Sequence, residues 1–359
     1  MMKNTITKPG SHSAQLLIEE IQDLDPCSER GRQWEELVGA NPASGFMQSL
    51  HWARFKQESG QDAIHLIIRP TDSDKILGGA MLYTCPDEKR PTVLICPYGP
   101  VLPWQDGQLA AQCLRLIIAR STEIAERINA VCLRIEPRVL LPAPSLLHEF
   151  ARAPVNLVPS ETLLVDLSCG LDSLLKDMKP KCRYNISLAE RRGVTVRELP
   201  VQDDSASTFY KLLEEASDRD DFYLEPESFF ARLLKIVGPT GMLKLFVAEH
   251  EGDNLGCLLL VTHGDKATYL YGGISNIKRQ LMPGYALQWH AMRAAKEARC
   301  KSYDFYGYDQ FQKPGHPYAR FSRFKSGFGG TPVRCIGAQD YMFTNKLVDN
   351  IIDFFRDLS

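Results

Sequence analysis

The sequence predicts a mixed α/β protein of two tandem domains, each a mixed, largely antiparallel sheet flanked by helices. Three observations predict it. The chain has 359 residues, enough for two domains at roughly 150 residues each. One order of apolar segments occurs twice. Between the copies runs a loop-like stretch, residues 154–162, so domains are expected over 1–160 and 161–337.

In the first copy, AIHLIIRP (63–70), the turn TDSDK and ILGGAMLYT (76–84) read as two β-branched and aliphatic strands around a polar turn. The helix LAAQCLRLIIARSTEIAERI (109–128) follows, with apolar residues at helical spacing, and leads into the strand VCLRIEP (131–137). LLVDL (163–167) opens the second copy. Residues 171–192 then form a helix that Pro180 interrupts and Gly193 ends. MLKLFVAE (242–249), the turn HEGDN and LGCLLLVTHGDKATYLYGG (255–273) repeat the hairpin and extend it by a strand. The helix YALQWHAMRAAKEA (285–298) and the strand SYDFYGY (302–308) complete the repeat. Leu347, Ile351, Ile352 and Phe355 share one face of a final helix, so a C-terminal helix over 338–359 is expected to pack back on the first domain. This plan resembles the acyltransferase superfamily that includes the GNAT-type acetyltransferases.

Composition excludes several classes. The net charge of −2, from 42 basic and 44 acidic side chains, excludes a globally basic nucleic-acid coat, so a polyanionic partner must meet a local patch. No apolar run reaches signal-peptide or membrane-span length, which predicts a cytoplasmic protein. The 10 cysteines form no CxxC pair and the 8 histidines no HExxH, so reduced thiols and no metal are expected.

GNAT-type enzymes cradle the coenzyme A pyrophosphate on a loop written Q/R-x-x-G-x-G/A at a helix start. Here that turn reads RQLMPGYA (279–286), where Pro283 lacks an N–H and Leu281 stands three residues before Gly284. A different activated acyl donor is expected, and no cofactor. Seven segments in order, FMQSLHWARFK, YGPV, LRIEP, KPKCRYNISLAERRGV, YLYGG, YDFYG and RFKSGFGG, resemble the Fem family of non-ribosomal peptidyl transferases, in its compact, armless form. The resemblance implies transfer of an amino acid from aminoacyl-tRNA to the stem-peptide amine of a peptidoglycan precursor, nucleotide-linked or lipid-linked. It also implies peripheral contact with the inner face of the membrane, and no stable protein partner.

The resemblance assigns candidate residues. Lys325 falls on the family's FK lysine, where an ammonium would stabilise the oxyanion or hold the terminal phosphate, with Phe324 stacking on the terminal adenine. Phe321, Phe324 and Phe328 also fit the buried stripe of a short helix, with Lys325 on its solvated edge. Glu136 in LRIEP corresponds to a carboxylate near the acceptor, a candidate base, with substrate-assisted proton transfer as the competing route. Lys56 corresponds to a lysine on the precursor diphosphate, and Tyr271 to a precursor-contacting tyrosine; a solvated lysine and a strand aromatic are the plain readings. Lys179, Lys181 and Arg183 are read as phosphate contacts or as a solvated helix face. Two positions depart from the family: Glu225 stands where an arginine is expected, and Phe229 where a hydroxylated aromatic is. Arg219 is the neighbouring candidate to supply the missing charge. Two other readings stay open: an N-acyltransferase of the same superfamily in exopolysaccharide or envelope assembly, and a non-catalytic protein that binds precursor or tRNA.

Overall fold

The computed structural model describes residues 15–84, 91–201, 203–311, 316 and 318–343. In chain order the first half contains β1 (Leu16–Ile21), α1 (Glu29–Ala40), α2 (Leu50–Glu58), β2 (Asp62–Pro70), β3 (Gly78–Thr84), β4 (Thr92–Pro97), α3 (Gly107–Ile128), β5 (Ala130–Glu136) and β6 (Ala151–Arg152). The second half contains β7 (Glu161–Asp166), α4 (Leu171–Asp177), α5 (Pro180–Arg191), β8 (Thr195–Leu199), α6 (Asp203–Asp220), α7 (Glu227–Val237), β9 (Leu243–His250), β10 (Asp253–His263), β11 (Lys266–Ile274), α8 (Pro283–Glu297), β12 (Ser302–Asp304) and α9 (Ala319–Lys325). Two short strands follow, β13 (Thr331–Arg334) and β14 (Gln339–Met342).

Local chemistry sets the helix ends. Ser28 caps α1 by accepting from Gly31 N, Ser49 caps α2 through Trp52 N, and Asp106 caps α3 through Gln108 N and Leu109 N. Pro180 occupies the first turn of α5, where its missing N–H costs nothing, and Gly193 leaves that helix at φ +79°.

The strands form two seven-stranded sheets, ordered β1-β2-β3-β4-β5-β14-β6 and β13-β7-β12-β11-β10-β9-β8. Read from opposite edges the two orders match. In each sheet an antiparallel meander ends in a parallel pair, β4 with β5 and β11 with β12, joined across α3 or α8. Beyond each pair lies one further strand, β14 in the first sheet and β7, which opens the second copy, in the second. Residues 339–342 therefore return to the first sheet as a strand, which corrects the helix expected to begin at residue 338. The physical reason is Asp340, whose two oxygens accept from Arg134 Nε and Nη2 at 2.7 Å each, fixing β14 against β5 in the buried sheet. Residues 344–359, which hold the rest of the expected helix, lie outside those described.

One hydrophobic cluster fills the first sheet against α3, around Leu66, Leu94, Leu114, Ile117 and Leu133. A second fills the other sheet against α5 and α8. A third is shared: Trp34, Phe46, Trp52 and Phe55 of the first half pack with Phe209, Phe230, Leu233 and Leu259 of the second. A shared apolar core of this kind opposes relative movement of the halves.

Polar contacts fix the same boundary. Lys266, at the start of β11, donates to Asn41 O at 2.5 Å, Ser44 O at 3.2 Å and Gly39 O at 3.4 Å, which neutralises the carbonyl end of α1. Beside it Gly264 meets Gly39 backbone to backbone, and a Cβ at 264 would sit 2.6 Å from Gly39 O. Lys266→Met leaves those carbonyls without their donor and is expected to lower stability by about 1–3 kcal/mol, read as a lower urea midpoint.

Candidate active site

Lys325 is the last residue of α9 and is 6 % exposed. Its ammonium donates to Tyr306 O and Gly307 O at 2.6 Å each and lies 5.7 Å and 5.8 Å from the ring centroids of Tyr269 and Tyr318. Burial pulls its pKa down to about 7, opposed by the charge of Asp304. The solvated-edge alternative thus fails: the residue is a buried cation enclosed by carbonyls and aromatic faces. Of the expected aromatic stripe only Phe328 is buried, stacked on Tyr285 and packed against Phe305, while Phe321 and Phe324 are half-buried and line a pocket.

Beside Lys325 lies a cavity of about 10 Å³, lined by Tyr98, Glu136, Arg138, Asp304, Tyr306 and Gly307 among others. That volume suits one water molecule. Glu136 ends β5 at 3 % exposure, and its two oxygens accept from Leu157 N at 2.9 Å and Val158 N at 2.6 Å. Burial raises its carboxyl to about 7, against those two bonds. With both oxygens holding the segment between the sheets, this geometry gives Glu136 the work of a clamp.

Phe324 lines a different pocket, of about 280 Å³ in the second half, shared with Arg219, Tyr269, the start of α8, Arg320 and Phe321. Tyr269 is the common wall, because it lines the pocket and also faces Lys325. The Phe324 ring centroid lies 5.0 Å from that of Tyr285 and 5.2 Å from that of Phe328, both edge-on. Arg219 stands in the same pocket, but Asp220 pairs with it at 2.7 Å, and Ile274 O and Asn276 Oδ1 take its other donors. A guanidinium so engaged carries little free charge to offer a phosphate.

Lys56 and Tyr271 come from different halves and meet through Phe229. The Lys56 ammonium lies 5.9 Å from the Phe229 centroid and near the rings of Trp52 and Phe55, while Phe229 packs on Phe55 and on Tyr271. Trp52 itself is core. Tyr271 packs on Phe230 at 5.0 Å, and burial pushes its phenol well up, helped by Glu225, Tyr223 and Tyr318. Glu225 accepts from Tyr223 at 3.3 Å, so an acid faces this end of the cleft. The run Lys56, Phe229, Tyr271, Tyr318, Lys325 joins the two halves of the candidate site.

Lys179 precedes α5 and lies against the end of α9: its ammonium donates to Ser326 Oγ at 3.0 Å and its N–H to Gly327 O at 2.9 Å. Lys181 is exposed, and Arg183 caps the carbonyls of Lys176 and Met178. The three form a basic edge next to Lys325. Asp304, Arg138, Tyr269, Tyr306 and Tyr318 were not singled out from the sequence, although the first four stand in or beside the motifs YDFYG, YLYGG and LRIEP. The available signal was Asp304, a charge inside an otherwise apolar strand.

A family model described as an acetyltransferase (GNAT) domain matches residues 177–321, ending just before Lys325. The crystal structure of FemX superposes with a TM-score of 0.80 at 20% identity, over 93% of this chain and all of that one. A tandem GNAT protein from the clavulanic acid biosynthesis pathway gives 0.56 at 13% identity over 92% of the chain. These show the fold: two GNAT-like units in tandem. Among curated proteins the chain is 22% identical to the lipid II:glycine glycyltransferase of Staphylococcus saprophyticus, over 88% of this chain and 93% of that protein. The Staphylococcus aureus protein of the same name matches at 22% over 88% and 92%.

The chain resembles the Fem-type transferases over most of its length, on a tandem GNAT-like acyltransferase fold. Among its described residues no helix is long and apolar enough to cross a membrane. Lys56 and Tyr271 meet across the boundary between the two GNAT-like units through Phe229, and the turn that holds Lys325 lines the small cavity shared by both.

Proposed function

We propose that the protein transfers an amino acid from aminoacyl-tRNA to the stem-peptide amine of a peptidoglycan precursor, building an interpeptide bridge. The observation that carries this reading is Lys325, a buried amine held by Tyr306 O and Gly307 O beside a cavity that Tyr98, Glu136 and Arg138 of the first half also line. The curated relatives' shared name, lipid II:glycine glycyltransferase, supports a lipid-linked precursor. Such an acceptor would bring the protein to the inner face of the membrane as a peripheral visitor, with no further partner needed.

The chemistry asks for little. An aminoacyl ester is already activated, so the amine attacks its carbonyl directly without an enzyme nucleophile. The C–N bond forms, the C–O bond to the terminal ribose breaks, and the amine's proton ends on the departing ribose hydroxyl. The enzyme must align two substrates and stabilise the negative oxygen of the tetrahedral intermediate. Lys325 meets the second need in its ammonium form. The pocket holding Phe324 would take the terminal adenosine of the tRNA, with the basic edge of Lys179, Lys181 and Arg183 toward the phosphates. Lys56 and Tyr271 line the acceptor's side. The same acyltransferase fold favours one other donor, acyl-coenzyme A, for which the start of α8 lies at the pocket but opens with Pro283.

The test is direct. Purified protein is given charged tRNA or acyl-coenzyme A with a lipid-linked precursor, and products are weighed by mass spectrometry. One added amino acid from charged tRNA is expected. Transfer from acyl-coenzyme A alone would replace this reading with the second.

A further inference from the structure

The charged group behind Lys325 is Asp304, 3 % exposed at the end of β12. Its Oδ1 accepts from Thr162 Oγ1 and from Tyr306 N at 2.8 Å, and its Oδ2 accepts from Arg138. Arg138 comes from the other half of the chain, one residue past Pro137, with its guanidinium 5.5 Å from the Tyr98 ring and its N–H on Ala43 O. Pinning Tyr306 N turns the chain through φ +47° at Tyr306 and +70° at Gly307. That turn aims both carbonyls at Lys325. At 307 only glycine serves, because a Cβ would sit 2.5 Å from the Tyr318 ring.

We propose that Asp304, held by Arg138 from the other half, is the positioning residue of the transfer: it shapes the Tyr306–Gly307 turn that grips Lys325 and supplies the negative charge that keeps that lysine cationic. Lys325 then becomes competent only when the two halves are docked. A carboxylate serves here where an amide would not, since it accepts from three donors and also contributes charge. The other ionisable groups around Lys325 are Glu136 at the end of β5, Tyr269 on β11, Tyr306 and Tyr318 on either side, Tyr98 beyond Arg138, and the Asp309–His316 pair before α9. Burial pushes the four tyrosines upward, so they stay neutral near pH 7. Glu136 titrates near Lys325, so the lysine itself must be observed.

The experiment labels the full chain with 13C-lysine and follows the Lys325 resonance by NMR across pH, assigned by its loss in Lys325→Met. In Asp304→Asn the midpoint is expected to fall by about one pH unit, a tenfold change in the ionisation constant. Thr162→Val, which removes a donor but not the charge, is expected to leave the midpoint in place. The rate of transfer, which rests on the function proposed above, should lose its alkaline limb at correspondingly lower pH, with KM for both substrates within about twofold. Should Asp304→Asn fail to fold, the pair Arg138→Gln with Asp304→Asn removes both buried charges together and is expected to lower the midpoint in the same direction. A folded variant whose Lys325 midpoint matches the wild type overturns the proposal. The NMR measurement needs no substrate, so an absence of transfer in the wild type would sink the proposed function and leave this result standing.

Discussion

Lys325→Met is expected to lower kcat/KM for transfer by about 10³-fold, the order lost when one preorganised oxyanion-stabilising donor is removed. Methionine approximates the lysine stem in length and removes the charge together with the bonds to Tyr306 O and Gly307 O, while the aromatic surroundings of Tyr269 and Tyr318 persist. Its effect on stability has a sign that can be worked out. The folded pKa, about 7, lies below the ordinary 10.5, so between those values the unfolded chain holds a proton that the folded chain has released. Wild-type stability therefore rises with pH across that window, and the buried ammonium costs most below pH 7. Methionine does not titrate. The variant should compare best with the wild type near pH 6 and worst near pH 10, measured by urea unfolding at each pH. A folded variant with normal turnover would remove Lys325 from the mechanism.

This result would also show why one stretch of sequence carried so much. The repeated hairpins, the long helices and the break at Pro180 were legible because each is local: period-two and period-3.6 patterns and a missing N–H act within a few residues. β4 was not read, although TVLICP is strongly apolar. It lies in the parallel pair with β5, and a strand covered on both faces gives a continuous run without alternation. The strand at 339–342 was hidden for another reason. Its place depends on Arg134, some 200 residues earlier, and no local pattern reports an ion pair of that span. The same limit applies to the site. Lys325 was legible through its motif, but its burial was not, because the carbonyls that hold it belong to a turn fixed by Asp304 and, through that, by Arg138. Arg219 and Glu136 each stood in a suitable motif, and neither's partners could be read there: Asp220 neutralises one, and two backbone N–H groups occupy the other.

Glu136→Gln is expected to keep transfer within about tenfold of the wild type while changing how stability depends on pH. The carboxylate accepts two backbone N–H bonds, and an amide can repeat only one, since its NH2 would face Val158 N or Leu157 N donor to donor. The substitution therefore loosens the segment that joins the two halves, at about 1–3 kcal/mol for a buried donor left unpaired. Against this stands the cost of the buried charge. The folded pKa, about 7, is above the ordinary 4.5, so across that interval the folded chain holds a proton that the unfolded chain has lost. Wild-type stability falls as pH climbs through the interval, and the glutamine variant's does not. The variant should be clearly less stable than the wild type at pH 5, with the gap narrowing by pH 8, as thermal melts at both values would show. A base in contact with the reacting amine predicts something different: a loss of about 10²–10⁴-fold in kcat, and removal of a rate limb rising through pH 7. That pattern would return Glu136 to the chemistry. Transfer kept near wild type would instead mean that the attacking amine sheds its proton to the substrates or to water, with the protein contributing alignment and the Lys325 charge.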